Sequence, residues 1–413
     1  MAGAGSLRMG RDSWEVFWRF LWLGCHAFGG PAAHVAFFQR TFVEQLRWFE
    51  TAAFERWLIW SQTLPGPASS QLGFMLGYQR AGWLGALAAF VGFTLPTALL
   101  LGLFGWVGQT YADALAPLMQ GWLWVAAVVV SLALIQMSRA LGRRWLLWGM
   151  AVLSGGVFLL TPVPAWTLIM LCGVVGALGR LRPLRGRHSD GLGAALERRP
   201  GLRQSRLLLA SAFALFVAVL TLPAVLTTLS GVFAQLALTG FQVFGGGHVV
   251  LPLLAQDWVA PHGPLPAEVF MAGYGAVQAM PGPMFAFASF LGVQTLGWLG
   301  ALVATLAIFL PGFLLLMGGL RFYQAWQKQS RVAGALAAIY AVVVGLLAAA
   351  WLNPILLHAL SLNASAQTGV TSGHTLLALL MLAINLVWLR RQGPVWGLLL
   401  LNPVVAALMG QVL

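Results

Sequence analysis

Two short stretches of this chain combine a glutamine with a Pro-Gly-Pro turn in apolar surroundings, and their spacing suits anion binding. The first stretch holds Gln62 and a Pro-Gly-Pro turn at residues 65–67, and the second holds Gln278 and the same turn at residues 281–283. Proline lacks an amide hydrogen and clashes with the preceding helical turn, so each turn is predicted to end one helix and begin another. The free N–H groups and positive dipole end of such a helix start favour an anion.

Other donors surround both turns. Glycine runs at residues 29–30 and 245–247 precede two matched histidines, His34 and His248. Glycine lets the backbone approach a ligand, although close helix crossing is an equally good explanation. Hydrogen bonds between helices explain the glutamines and histidines as well as ligand contact does, and Ser69 and Ser70 could bond to backbone carbonyls. The predicted substrate-binding residues are Gly29, Gly30, His34, Gln62, Pro65, Gly66, Pro67, Ala68, Ser69, Ser70, Gln71, Gly246, Gly247, His248, Gln278, Pro281, Gly282, Pro283 and Met284.

Two arginines flank the short apolar stretches of the first part of the chain. Arg40 and Arg56 are predicted to steer an anion, with a position at the membrane interface as the alternative. Neither has a charged counterpart near the second turn. The sequence contains no convincing nucleophile, acid pair, phosphate loop or metal-ligand spacing, so it predicts no metal, no cofactor and no enzyme activity.

The composition is that of an all-α polytopic membrane protein. Of 413 residues, 60% are hydrophobic and only 8% charged, against about 25% charged in soluble domains. The length allows roughly 10–14 membrane segments, some of them broken or re-entrant. The net charge of +13 is expected to reflect arginines in cytoplasmic loops. The expected partner is therefore the lipid bilayer, and no nucleic acid is expected. The expected location is the inner (cytoplasmic) membrane.

The segments fall into five regions, and the first repeat opens with pieces too short to span a membrane. Residues 14–28, an amphipathic stretch at 34–48, and apolar stretches at 51–64 and 68–78 favour discontinuous helices, with 14–28 as half of a hairpin. The predicted regions are a cytoplasmic tail (1–13), a first transmembrane repeat (14–179), an Arg-rich cytoplasmic linker (180–206), a linking transmembrane helix (207–229) and a second transmembrane repeat (230–413).

The two repeats share several motifs in the same order. The six residues 82–87 (Gly-Trp-Leu-Gly-Ala-Leu) recur as 297–302, and the Leu-Pro pair at 95–96 recurs at 310–311. If every arginine cluster faces the cytoplasm, the two copies run antiparallel in the membrane, which is the inverted-repeat plan of many secondary transporters. The first copy is the more polar, because Ser69, Ser70 and Gln71 align with the apolar stretch 285–287.

At these residues the chain resembles the chromate ion transporter family in its long, two-domain form. The resemblance runs nearly end to end and is weakest at 140–206 and 353–373. Its carriers are the Phe-Gly-Gly-Pro at 28–31 with His34, the Val-Glu at 43–44 with Trp48, both Pro-Gly-Pro turns, the Gly-Tyr at 77–78 and the Gly-Trp-Leu-Gly at 82–85 with its second-half match. It implies efflux of chromate from the cytoplasm, with sulfate as a close analogue, and chromate resistance.

Two other readings stay open at this point. The chain could carry sulfate, another small anion or a neutral solute, which belongs to the same class of function. A membrane-embedded enzyme or assembly scaffold is a different class, and it predicts a catalytic constellation or large soluble domains that the sequence lacks. The sequence leaves the oligomeric state open, with a homodimer as the working assumption.

Overall fold

The chain was analysed as a computed structural model that is helical almost throughout. In the part of the chain that the structure describes there is no β-strand, and a single isolated bridge joins Val259 and Leu265. The described residues are 2–110, 112–161, 163–179, 181, 198–222, 225–244, 247, 250–259, 263–327, 329–356, 372–391, 397–398, 401–402 and 404–406. Most of the Arg-rich linker and of residues 353–373 lies outside them.

Fifteen α-helices are numbered here in chain order. A π-helical turn, Gln39–Gln45, follows α2, another, Trp351–Leu356, follows α14, and a 3₁₀ turn, Met284–Ala286, precedes α12. The helices are α1 (Ala2–His26), α2 (Gly30–Phe38), α3 (Thr51–Thr63), α4 (Ala68–Thr110), α5 (Ala112–Leu141), α6 (Trp145–Leu160), α7 (Ala165–Leu178), α8 (Leu202–Thr221), α9 (Leu229–Gln242), α10 (Val250–Trp258), α11 (Ala267–Ala279), α12 (Phe287–Gly319), α13 (Tyr323–Gln327), α14 (Ser330–Ala350) and α15 (Ser372–Arg390).

Both Pro-Gly-Pro turns break the helix as predicted. α3 ends at Thr63, where Leu64 takes extended backbone angles, and α4 begins at Ala68. α11 ends at Ala279, and the 3₁₀ turn leads into α12. Gly66 and Gly282 have φ values of 118° and 88°, a left-handed conformation that glycine adopts without the steric cost of a Cβ.

A second break interrupts α4 and α12 at matched positions. Ala81 and Gly82 have φ/ψ of −136°/22° and 66°/−151°, and Leu296 and Gly297 have −134°/19° and 64°/−155°. A Cβ on Gly77 would overlap the carbonyl oxygen of Gly85. Residues eight apart lie about 12 Å apart in a straight helix, so the short arm 68–80 folds back on the long arm 83–110. This confirms the predicted separate stretch at 68–78.

The expectation for the N-terminal region is wrong in one respect. Residues 14–28 do not form a short piece, because α1 is one continuous helix of 25 residues that begins within the predicted polar tail. The polar residues of this helix pair with the protein itself: Asp12 and Glu15 each lie 3.5 Å from Arg80, and Glu15 also lies 3.9 Å from Arg19. Paired charges let the helix extend beyond its apolar stretch.

Close helix contacts recur in the two copies. α1 packs on α4, α9 packs on α12, and α4 and α12 pack on each other between them. A Cβ on Gly24 of α1 would lie 2.8 Å from the carbonyl oxygen of Phe93, and one on Gly240 of α9 would lie 2.5 Å from that of Ile308. Small residues let these backbones approach. The antiparallel orientation of the two copies stays a prediction.

Several helices have the length and composition to cross a membrane, which agrees with the all-α polytopic fold. Among the described residues five such helices occur, and three apolar helices are shorter: Trp145–Leu160, Ala165–Leu178 and Ala378–Arg390. The five longer ones are Ala68–Gln109, Trp124–Leu141, Leu202–Thr221, Met284–Gly319 and Ser330–Asn353.

The fold-back of α4 can be tested by adding one methyl group. Gly77→Ala should lower the thermal unfolding temperature of the detergent-purified protein, because the new Cβ must displace the Gly85 carbonyl, at about 1–3 kcal/mol for an overpacked contact. Gly149→Ala on α6 is the matched control, since nothing lies within 4 Å of its Cβ. Equal unfolding temperatures for the two variants would contradict the tight hairpin.

Candidate anion-binding site

The two Pro-Gly-Pro turns are each held by a helix end from the other copy. The Gly66 N–H donates to the Val243 carbonyl at 2.8 Å, just after α9. The Gly282 N–H donates to the Ala27 carbonyl at 3.0 Å, just after α1. A helix end has carbonyls without intrahelical donors, and the turns supply those donors. Each turn therefore supplies a donor for a carbonyl just after a helix of the other copy.

The first proline carbonyl of each turn is also occupied, but by different side chains. Pro65 accepts a hydrogen bond from Gln71 Nε2 at 2.8 Å, and the same nitrogen donates to the Gly312 carbonyl at 3.0 Å. At the second turn, the hydroxyl of Thr97 from α4 donates to the Pro281 carbonyl. These bonds connect α4 with the second turn and α12 with the first.

His34 lies between the two breaks and is fully buried. Its Nε2 lies 3.1 Å from the Ala27 carbonyl, the same carbonyl that accepts from Gly282, and its Nδ1 lies 3.4 Å from Ser69 Oγ. The ring meets Phe93 edge-on, with centroids 5.1 Å apart. A chain of hydrogen bonds thus runs from the start of α4 through His34 to the second Pro-Gly-Pro turn.

The start of α4 collects buried polar groups. Ser69 and Ser70 are only 5% and 4% exposed, and Gln71 is fully buried. The first turn of a helix has N–H groups without intrahelical acceptors. Ser70 Oγ and Gln71 Oε1 have no hydrogen-bond partner among the described residues. Buried polar atoms without partners are rare in folded proteins and point to a polar ligand or water. The Ser70 hydroxyl can donate to an anion, whereas Gln71 Oε1 only accepts and needs a donor such as water.

The start of α12 is apolar by contrast. Met284, Phe285 and Phe287 are buried there, and a Cβ on Gly247 would lie 2.8 Å from the Met284 sulfur. Phe285 packs against Phe309 with ring centroids 6.1 Å apart. The two helix starts therefore differ in chemistry as their sequences indicate.

The remaining predicted site residues lie in varied surroundings. Gln62, Gly29 and Arg40 are exposed, while Gln278 and Arg56 are half-buried. Gln278 forms a hydrogen bond with Tyr274, and its Nε2 atom lacks a partner among the described residues. Their predicted roles in binding or steering stay predictions. His248, Gly245 and Gly246 lie outside the described residues.

Sequence reasoning missed four groups that hold the two turns. These are Thr97 and the carbonyls of Gly312, Ala27 and Val243. Thr97 and Gly312 both follow the repeated Leu-Pro pair, so a polar residue at one of two matched positions was a usable signal. The Ala27 carbonyl has no sequence signal, because every residue carries one.

Comparison with known proteins gives one consistent result. A family model described as chromate transporter matches residues 14–177 and 227–411. The chain is 30% identical over 348 residues to the chromate transport protein of Pseudomonas aeruginosa. The aligned region covers 81% of this chain and 79% of that protein. The chain is 27% identical over 346 residues to a probable chromate transport protein of Synechococcus elongatus, with 80% and 81% covered.

A third relative matches a similar share of the chain, whereas no solved structure does. The chain is 29% identical over 338 residues to the chromate transport protein of Cupriavidus metallidurans, which covers 80% of this chain and 78% of that protein. No solved structure matches the chain.

Two buried threonines on one helix arm test the bonds at the second turn. Thr97→Val should lower the thermal unfolding temperature, because the Pro281 carbonyl loses its donor at about 1–3 kcal/mol. Thr94→Val should leave it unchanged or raise it, since Thr94 Oγ1 has no partner among the described residues. A Thr97→Val protein as stable as the Thr94→Val protein would show that this bond does not hold the turn.

Proposed function

Because the chain belongs to the chromate transporter family, we propose that it carries chromate across the cytoplasmic membrane as a secondary transporter. The observation that carries this proposal is the set of buried hydrogen-bond donors at the start of α4. There a helix N-terminus and two buried serines, Ser69 and Ser70, lie directly after a helix break, and the hydroxyl of Ser70 has no partner among the described residues. Helix breaks of this kind hold anionic substrates in transporters, since their free N–H groups point at the ligand.

The donors at this site suit a tetrahedral oxyanion. All four oxygens of such an anion accept hydrogen bonds, and the α4 start offers N–H and O–H donors. None of the residues Ser69, Ser70, Gln71 or His34 carries a fixed charge, so the anion is stabilised by dipoles and donors rather than by a permanent ion pair. A carrier must release its cargo, and moderate binding of this kind favours release.

Sulfate is the alternative substrate. It has the same shape and charge as chromate, and the same donors would bind it. The relatives' names favour chromate, since three of them are described as chromate transport proteins or probable ones. The second helix start contributes less to binding in this proposal, because Met284, Phe285 and Phe287 fill it.

We place the N-terminus in the cytoplasm and the direction of transport outward. A membrane potential that is negative inside favours export of a dianion, by about 2.3 kcal/mol per charge per 100 mV. Export would confer chromate resistance. Alternating access would rock one copy against the other, and the reciprocal bonds from Gly66 to Val243 and from Gly282 to Ala27 are the contacts that such a motion must preserve or exchange.

Flux measurements in proteoliposomes test the substrate. With a potential that is negative on the chromate-loaded side, the protein should release chromate faster than at zero potential, and excess sulfate should slow the release if it shares the site. Movement of neither anion through folded protein would contradict the proposal. Product formation from either anion would instead indicate an enzyme.

One serine tests the site. Ser70→Ala should weaken chromate binding about 10- to 100-fold, because a hydrogen bond to a charged ligand contributes about 1.5–3 kcal/mol. Ser61→Ala is the matched control: Ser61 is equally buried, but its hydroxyl already donates to the Leu58 carbonyl within α3. Equal binding by both variants would place the anion elsewhere.

A further inference from the structure

We propose that His34 is a proton-binding site linked to the anion site, so that the dianion binds at the start of α4 together with one proton taken up on Nδ1 of His34. This inference rests on the proposed function and adds a second ligand to it. It follows from the hydrogen-bond partners of the ring, a carbonyl oxygen at Nε2 and a hydroxyl at Nδ1.

In this proposal, His34 is the neutral Nε2–H tautomer before the anion binds. A carbonyl oxygen only accepts, so the Nε2 atom that lies 3.1 Å from the Ala27 oxygen carries a hydrogen. A neutral imidazole then has an unprotonated Nδ1. The group beside Nδ1 is the Ser69 hydroxyl, 3.4 Å away, which donates its hydrogen to the ring. The proton of Ser69 is therefore directed away from the anion site.

Protonation reverses that bond. A proton from water binds the lone pair of Nδ1, and the new N–H donates to Ser69 Oγ, which can accept. The hydroxyl hydrogen of Ser69 is then free to donate to an anion at the α4 start. One proton thus supplies both a positive charge and an additional donor, and each of these favours the dianion. The linkage is reciprocal, so the bound anion favours the proton to the same extent.

Among the described residues, no carboxylate is placed to pair with a charged His34 ring, so the proposed anion is its counter-ion. On α1 the neighbouring ionisable side chains are Cys25 and His26, both exposed, and His26 Nδ1 bonds to the Trp22 carbonyl. The π-helical turn after α2 carries Arg40 and Glu44, which are exposed. On α4 the ionisable groups nearest to Ser69 in sequence are Tyr78 and Arg80, and Arg80 pairs with the α1 carboxylates of Asp12 and Glu15. The second Pro-Gly-Pro turn carries none.

Protonation of His34 also affects the contact between the two copies. The Ala27 carbonyl accepts from His34 Nε2 and from the Gly282 N–H, so both of its lone pairs are used. A charged ring donates more strongly to this oxygen than a neutral ring does. Loading of the anion site is thereby transmitted to the second Pro-Gly-Pro turn, through one shared acceptor.

Proton counting tests the proposal. Titration calorimetry of the purified protein in buffers of different ionisation enthalpy should show uptake of about one proton per anion bound. Over the pH range in which uptake occurs, the dissociation constant should rise about tenfold for each unit of pH increase. Chromate itself takes up a proton near neutral pH, so sulfate, which stays a dianion, is titrated in parallel.

A neutral isostere supplies the comparison. His34→Gln keeps a donor for Ala27 and an acceptor for Ser69 but does not titrate, so its proton uptake on sulfate binding should be absent and its affinity independent of pH. His26→Gln, which removes an exposed histidine on α1, should behave like the natural protein. Proton uptake that is unchanged in the His34→Gln protein overturns the inference while leaving the anion site intact.

A second measurement needs no variant and covers the case in which His34→Gln does not fold. Histidine-labelled protein should show a new imidazolium signal by nitrogen NMR when sulfate or chromate is added, and the absence of that signal with bound anion overturns the inference. Failure of both anions to bind to the folded natural protein contradicts the proposed function itself, and the two failures are therefore distinguishable.

Discussion

Backbone N–H and C=O groups at membrane depth must find partners within the protein, and this requirement governs the centre of the molecule. Each Pro-Gly-Pro turn interrupts a helix and leaves donors and acceptors that the helix would have paired. Here the two interruptions pair across the copies: Gly66 with Val243, and Gly282 with Ala27. A broken helix costs several kcal/mol in lipid unless such partners exist. The close approach of each turn to a helix end of the other copy is therefore a condition for having the breaks at all.

The contacts at the two turns also bear on the donors of the proposed anion site. The turn before α4 is fixed by Gln71 and by the bond from Gly66 to Val243, while the first N–H groups of a helix have no intrahelical acceptors. A rigid turn with unused donors is preorganised for a ligand that only accepts hydrogen bonds. The polar side chains at this start, Ser69 and Ser70, add donors without adding charge.

The helix breaks were predictable because proline and glycine act locally. Pro-Gly-Pro predicts the ends of α3 and α11, and the recurrence of residues 82–87 predicts that the backbone at Gly82 and Gly297 behaves alike. The extent of α1 was not predictable in this way, since its polar half is stabilised by Arg80, a residue far along the chain. The roles of the Ala27 and Gly312 carbonyls depend wholly on tertiary contact, which no local pattern encodes.

The unequal partners of the two proline carbonyls have a consequence for the history of the chain. In the repeat, Thr97 matches Gly312 and Gln71 matches Phe287. The first turn is bonded by Gln71, since Gly312 has no side chain to compete for the same oxygen. The second turn is bonded by Thr97, since Phe287 has no donor for it. Both side chains that bond to the proline carbonyls thus belong to the first copy. Two identical first halves would bring glutamine and threonine to the same oxygen, and two identical second halves would bring neither. In these contacts the two halves are complementary, as the subunits of a heterodimer are, although one polypeptide joins them.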